Sequence, residues 1–314
     1  MNPRSLRYLL PVLLLIGFAS CKKIIEHGSD DETCSDCSAL YSSEKKIKSI
    51  QVKDSDIVTN QYFLFYTNGL LDSISHEQLT GKTLAYDYSI KVLYSENSCI
   101  PSGYKYLTDN SYERPTVDAS FLVDSNVIVR KSIYRPISGY YSGDSSSTFG
   151  YDYYPNGLLK TRDFHYLGDQ FPEIQTTTDY STDKNISAVT VIGDYTMQIR
   201  LSEFDAKANP FSFQNNILYY LSVQPYNVFP NRYEVMGNGK FYPQYFPFDN
   251  VTLSRNNLGL LVYDNNYVYY DEYTFKYTYN ADGYANNITI FTNIRNNEDV
   301  NNYKKAEEIN LTYY

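Results

Sequence analysis

The chain has 314 residues, a net charge of −9, and 36 tyrosines with 16 phenylalanines and no tryptophan. So acidic a chain lacks the basic footprint that nucleic acids require, and its overall charge disfavours simple attraction to anionic headgroups. The length suits one large β domain or two smaller ones, and the tyrosine count itself reports sheet, because a tyrosine ring packs on a half-buried strand while its hydroxyl stays wet.

Residues 1–20 read as a targeting segment. Arg4 and Arg7 precede an apolar stretch from Tyr8 to Phe18, which is too short for a stable transmembrane anchor. Ala19, Ser20 and Cys21 then follow, a sequence that resembles a bacterial lipobox. The resemblance implies that Cys21 is lipidated and becomes the mature N-terminus, attached to the membrane through several acyl chains. Residues 21–43 form a flexible acidic tether containing Asp30, Asp31 and Glu32. Acidic residues behind such a cysteine resemble the surface-export signal of Bacteroidota lipoproteins. The expected location is the outer membrane, with periplasm-facing and cell-surface placements both open.

Three further cysteines lie in a compartment that permits disulfides. The expected staple joins Cys37 to Cys99, with Cys34 as the alternative partner. The Cys34-Ser35-Asp36-Cys37 motif sits in a polar tether rather than between a strand and a helix, which argues against redox chemistry. His27, His76 and His165 are scattered, so no metal site and no cofactor are expected.

In chain order, strands are predicted over 44–58 and 61–66, followed by a Thr67-Asn68-Gly69 turn and a further strand over 84–96. Residues 97–126 read as a long loop with at most a strand at 103–107. A strand over 126–134 precedes a Gly/Ser-rich tip at 138–147. Phe149, Tyr151 and Tyr153 share a strand face before the Pro155-Asn156-Gly157 turn. Segments 187–192 and 195–201 flank Gly193-Asp194 as a two-residue hairpin, with Tyr195, Met197, Ile199 and Leu201 on one face. Residues 205–257 are aromatic and broken by prolines, with a short helix possible at Asn215–Val223. Strands resume over 259–292, and 308–314 closes the chain. The domain 44–314 is therefore expected to be all-β: a large twisted antiparallel meander of hairpins, with the aromatic and proline-rich segment covering one face.

One phrase recurs: Tyr66-Thr-Asn-Gly-Leu-Leu, Tyr154-Pro-Asn-Gly-Leu-Leu and Tyr279-Asn-Ala-Asp-Gly-Tyr. These units resemble YD (RHS-like) repeats, with Gly69, Gly157 and Gly283 as the turn glycines. The chain is similar to Bacteroidota lipoproteins with degenerate YD-like repeats, a family of unknown function. Those carry an Asn-Pro-Phe, a Ser-x-Asn-Asn and a final hairpin, matched here by Asn209-Pro210-Phe211, Ser254-Arg255-Asn256-Asn257 and Tyr277 to Tyr284. The resemblance implies an antiparallel β fold and carries over no catalytic residue.

The sequence holds no nucleophile elbow, zincin motif, P-loop or dinucleotide fingerprint. Asp152, Asp163, Glu173 and Asp271 are carboxylates among which none stands out. Asp72-Ser73-Ile74 resembles a Bacteroidota O-glycosylation sequon with Ser73 as acceptor. The expectation is a lipid-anchored cell-envelope protein of unknown function, a non-enzymatic binding or structural module whose partner is a glycan or an envelope protein. The alternatives are a surface glycan-binding protein using exposed tyrosine faces, and a hydrolase with an unrecognised carboxylate pair.

Overall fold

The computed structural model describes residues 45–54, 56–80, 83–95, 98, 100–108, 117–124, 128–136, 146–166, 174–192, 196–212, 233–235, 241–243, 254–265, 270–294 and 304–314. Strands occur in the order β1 (Ile47–Asp54), β2 (Ile57–Thr67), β3 (Leu70–Thr80), β4 (Thr83–Tyr94), β5 (Pro101–Thr108), β6 (Val117–Val123), β7 (Val129–Pro136), β8 (Ser147–Tyr153), β9 (Leu159–Tyr166), β10 (Ile174–Tyr180), β11 (Ile186–Ile192) and β12 (Thr196–Ser202). They continue as β13 (Tyr233–Val235), β14 (Phe241–Pro243), β15 (Leu260–Asn265), β16 (Tyr270–Tyr279), β17 (Ala285–Ile294) and β18 (Lys304–Tyr313). Strands β13 and β14 pair only with each other. The other 16 form one closed antiparallel barrel in which β18 returns to pair with β1.

Closure changes two expectations. The stretch read as a long loop over 97–126 contributes two barrel strands, β5 and β6, joined in register from Gly103↔Ser120 to Tyr106↔Val117. Alternating buried positions (Tyr104 and Tyr106; Val117, Ala119 and Phe121) drive that pairing, and proline and glycine punctuation masked it. The sheet also has no open apolar face to cover, since its apolar side is turned into the barrel. Most of the segment assigned that role, with its helix at 215–223, lies outside the described residues, as do 138–145 and the Gly193-Asp194 turn.

Alternation along the strands is regular. In β12, Met197, Ile199 and Leu201 are buried while Thr196, Gln198, Arg200 and Ser202 are exposed. In β8, Ser147, Phe149 and Tyr151 are buried, with Asp152 outside. Because neighbouring strands alternate in direction, the β2–β3, β4–β5, β6–β7, β8–β9, β10–β11 and β16–β17 connections all fall at one end. The start of β1 and the end of β18 fall there too. We call this end the turn rim.

The recurrent phrase of the sequence marks this rim. In the β8–β9 turn, Gly157 N–H donates to Tyr154 O (2.9 Å) and Tyr154 N–H to Leu158 O (2.8 Å). In the β16–β17 turn, Gly283 N–H donates to Asn280 O (3.0 Å) and Asn280 N–H to Tyr284 O (2.9 Å). Both glycines have positive φ, 81° and 85°; Gly69, at 84°, follows Asn68 at 49° in a two-residue turn. The β10–β11 turn repeats the same pattern through Lys184 N–H to Ser181 O (3.0 Å) and Ser181 N–H to Asn185 O (2.8 Å). There a lysine, Lys184, takes the left-handed position at φ 64°. A copy of the turn was hidden because its glycine is missing.

Tyrosines lace the same rim between strands whose own connection lies at the far end. Tyr94 Oη of β4 donates to Leu71 O of β3 (2.9 Å), and Tyr153 Oη of β8 to Val129 O of β7 (2.8 Å). Tyr277 Oη of β16 reaches Leu258 O just before β15 (2.8 Å), and Tyr313 Oη of β18 reaches Ala285 O of β17 (2.6 Å). Each ring packs on the core while its hydroxyl satisfies a carbonyl at a strand start.

The β1–β18 seam closes the barrel through Ile50↔Leu311 and Val52↔Ile309 inside. Ser49 Oγ and Thr312 Oγ1 meet at 2.7 Å. At the far end, Lys305 bridges Glu308 (2.8 Å) and Asp56 (3.7 Å) on the outer surface. Glu307, in register with buried Ile290, is turned the other way. Burial, and then the charge of Asp54, push its carboxyl up to about 7. Because the folded value lies above the unfolded one, this group favours the folded state at low pH, and the contribution is lost as pH rises through about 7.

Two predictions arise from these features. Replacing Gly157 with Ala should cost about 1 kcal/mol and replacing Lys184 with Gly should stabilise by up to ~1 kcal/mol, since an L side chain is strained at positive φ; thermal melts of the two variants should move in opposite directions. Glu307→Gln should remove a loss of stability on the order of 3 kcal/mol that the native protein suffers on passing from about pH 5 to about pH 8. Urea titrations at the two pH values check this, and an unchanged pH slope in the variant would count against the assignment.

Candidate functional site

A closed barrel of this strand number can hold an aqueous channel when its lumen is polar. Here the polarity is reversed. Inward-facing Ile50, Leu64, Ile74, Ile90, Ile288 and Ile309 are all 0 % exposed, which a water-filled lumen would not allow. Outward positions carry Lys48, Lys91, Lys105, Lys131, Arg200 and Lys276. Among the described residues, the large exposed apolar side chains, such as Ile57, Phe65, Leu107, Leu122 and Ile192, are interspersed with these charges and form no continuous band of the kind that a lipid-facing barrel presents.

The polar groups inside are integrated into the core. His76 is stacked between Tyr62 (4.5 Å between centroids) and Tyr88 (4.2 Å), and Tyr106 extends the stack (4.8 Å). Its Nε2 lies 3.0 Å from Asn60 Oδ1. Ser132 Oγ and Tyr151 Oη lie 2.8 Å apart. Arg162 is in register with buried Tyr151 on one side and buried Thr176 on the other, 5.8 Å from the ring centre of Phe149. Burial holds the phenols of Tyr104 and Tyr134 well above their ordinary values, so neither supplies a base or a nucleophile at neutral pH. These groups make hydrogen bonds and ring contacts that specify one packing of the interior.

The three motifs behind the family resemblance converge on one cluster beside the turn rim. Asn209 Nδ2 donates to Ser254 O (2.9 Å), and its Oδ1 accepts from Phe211 N–H (3.0 Å). Ser254 Oγ accepts from Ile186 N–H (3.2 Å). Asn185 and Asn256 bond reciprocally: Asn185 Nδ2 to Asn256 Oδ1 (3.1 Å), and Asn256 N–H to Asn185 Oδ1 (2.8 Å). Asn257 Nδ2 donates to Asp205 Oδ2 (3.2 Å) and to Tyr279 Oη (3.2 Å), and Tyr279 Oη in turn donates to Asp205. Asn209, Ser254 and Asn257 are at most 1 % exposed. The cluster pins the chain as it leaves β12 to the chain as it enters β15. Apart from Asn257 Oδ1, which is buried without a hydrogen-bond partner, the cluster's amides are occupied in that fastening, which gives these motif residues a structural role. Sequence spacing could not reveal this, because the partners lie on separate segments.

The other sequence candidates do not assemble into a site. Gly69, Gly157 and Gly283 are turn residues of one rim. Ser73 faces outward on β3, in register with Phe65 and Lys91, with its Oγ 3.2 Å from Asp72 Oδ2. Asp152 and Asp163 stand on the outer wall; Asp163 accepts from Gln175 Nε2 (2.7 Å), and Asp152 is 3.9 Å from Arg130. Asp271 lies in β16 opposite Tyr263 and Ile294. Glu173, Cys21, Cys34, Cys37 and Cys99 lie outside the described residues. Among the described residues, no group of three or more His, Cys, Asp or Glu side chains is arranged to hold a metal ion. The tyrosine lacing and the Lys184 turn went unread. The signal for the first was tyrosine recurring at strand ends, and for the second a Ser-x-x-Lys-Asn turn between two strands.

No family model and no curated protein matches the chain. Among solved structures it is similar to a porin-like protein from Bacteroides uniformis at 14 % identity and a TM-score of 0.54, over 86 % of this chain and 99 % of that one. A porin-like protein from Bacteroides vulgatus aligns over the same shares at 12 % identity and a TM-score of 0.49. The first of these likenesses concerns the fold: an antiparallel β barrel.

Proposed function

We propose that this is a lipid-anchored protein of the outer membrane whose barrel stays in water, a non-enzymatic binding or structural module rather than a pore. The observation that carries the reading is the polarity of the wall, with aliphatic side chains at 0 % exposure inside and lysine, arginine and carboxylate outside. Burying such a wall in hydrocarbon would cost roughly 2–4 kcal/mol for each midplane Lys or Arg. The lipid on Cys21 supplies the membrane attachment in this reading, and the Cys37–Cys99 staple (or Cys34–Cys99) and a glycan on outward-facing Ser73 belong to the same envelope context. The turns at 154–158, 181–185 and 280–284 share one hydrogen-bond pattern, which supports a common YD-like hairpin ancestor.

Among the described residues, tyrosines concentrate in the core and at the rim and give little surface to the sugar-binding alternative; Tyr314, at 60 %, is the one tyrosine there among the large exposed apolar side chains. The full chain carrying Cys21→Ala should remain soluble without detergent and add no conductance to planar lipid bilayers. Discrete conductance steps, or a detergent requirement in that variant, would sink the proposal.

A further inference from the structure

Residue 45, where the described chain begins, lies at the turn rim, and the C-terminal Tyr314 N–H donates to Lys46 O there (3.1 Å). On the lipid-anchor reading, about 24 residues separate that rim from the membrane. They reach at most roughly 80 Å, longer than strands of this length rise. The tether by itself therefore does not select which rim meets the bilayer; side-chain chemistry does.

Among the described residues, every contact of a Lys or Arg over a tyrosine ring falls at the turn rim. Lys46 lies 5.4 Å from the ring centre of Tyr66, Lys48 5.5 Å from Tyr314, Lys160 6.0 Å from Tyr154 and Lys207 5.9 Å from Tyr279. These four lysines have no carboxylate partner among the described residues, and Lys48, Lys160 and Lys207 are exposed. Of the rim's own carboxylates, Asp282 is engaged by Lys45, Asp124 by Arg130 (2.7 Å) and Asp205 by Tyr279 and Asn257; Asp152, Asp179, Asp183 and Glu203 stand exposed beside them. The far end of the seam carries Asp54, Asp56, Glu307 and Glu308, with Lys305 bridging Asp56 and Glu308 and Lys53 3.9 Å from Glu308, so its lysines are held by carboxylates and none lies over a tyrosine ring among the described residues.

We infer that the turn rim is a docking surface for a phosphatidylethanolamine headgroup layer. Ammonium groups held over phenol rings are suited to the membrane–water interface, where the ring sits at headgroup depth and the cation meets phosphate. The exposed carboxylates suit the amines of the same lipid. The chain's overall negative charge does not oppose this contact at distance, because salt screens it beyond about 8–10 Å. The inference rests on the lipid-anchor reading and adds an orientation to it: turn rim toward the bilayer, opposite rim away.

The test uses the full lipidated chain on vesicles of phosphatidylcholine and phosphatidylethanolamine, with amide hydrogen exchange compared against the same protein in detergent. Exchange in the turns at 67–70, 154–158 and 280–284 should slow several-fold on vesicles, with no change around Asp56. The combined variant Lys46→Gln, Lys48→Gln, Lys160→Gln, Lys207→Gln should lose that protection; Lys48→Gln with Lys160→Gln serves if the fourfold variant unfolds. Equal exchange at the two rims, protection of the opposite rim, or protection that survives the lysine changes overturns the inference. Flotation with vesicles separates the two readings. A native chain that fails to float, or a Cys21→Ala chain that floats as well, refutes the anchor. A native chain that floats without rim protection refutes only the docking.

Discussion

Everything in this molecule depends on the pairing of its last strand with its first. A sheet built from hairpins ends in two edges, each a row of unpaired amides and carbonyls. Here β18 runs along β1 from Ile47↔Tyr313 to Lys53↔Glu308, so both edges vanish into one seam. Closure also decides where the apolar face goes. A strand alternates between its bulges, so once Ile50 and Val52 point inward beside Leu311 and Ile309, the facing of their neighbours along the seam follows. The interior then fills with aliphatic and aromatic side chains, and the exterior is left to lysine, threonine and carboxylate.

The turn rim carries the second set of constraints. Strands joined by a tight turn are held at that end by the turn. Strands joined at the far end would splay there, and four of these pairs are closed instead by a tyrosine hydroxyl on a carbonyl. The device explains why tyrosine rather than phenylalanine recurs at strand ends. Phenylalanine would pack as well but would leave the carbonyl at the next strand's start without its donor. The Asn-rich cluster serves the same end where no tight turn is available, between β12 and β15. It fastens the two sides of that long excursion through side-chain amides that reinforce a short backbone ladder, Asp205 N–H to Asn257 O (3.1 Å) and Asn209 N–H to Arg255 O (3.0 Å) among its bonds.

The β character of the chain was legible in its alternation, because period two needs no long-range information. The cleanest case, β12, reads correctly from Met197, Ile199 and Leu201 alone. Closure was not legible, since nothing local in Glu308 to Tyr313 says that the partner runs from Ile47 to Lys53, at the other end of the domain. Strand β6 was lost, and β5 was read only in part as 103–107, for a different cause: Pro101, Gly103 and Pro115 punctuate a region whose tertiary pairing overrides local propensity. Gly157 and Gly283 announced their turns because glycine adopts positive φ without strain. Lys184 holds the same backbone position silently, tertiary context bearing the cost. The family motifs were visible as words, but their meaning was spatial. Asn209, Ser254 and Asn257 became a fastening only when three segments met.

These constraints narrow where activity can reside. A closed barrel offers no sheet edge for an added strand, which removes β-augmentation as a recognition mode at the wall. The described interior is packed, so the lumen is closed to solutes at those residues. The wall's scattered charges, with Asp163 held by Gln175 and Asp118 in register with Arg135, provide neither a cleft nor a continuous apolar patch. What remains among the described residues are the two rims and the separate β13–β14 pair. One rim is built of short, hydrogen-bonded turns and carries both ends of the barrel. The other carries the remaining connections between strands. On the anchored reading, a barrel docked by its first rim presents its second to whatever approaches, and the seam and lacing hold the wall between them in one form.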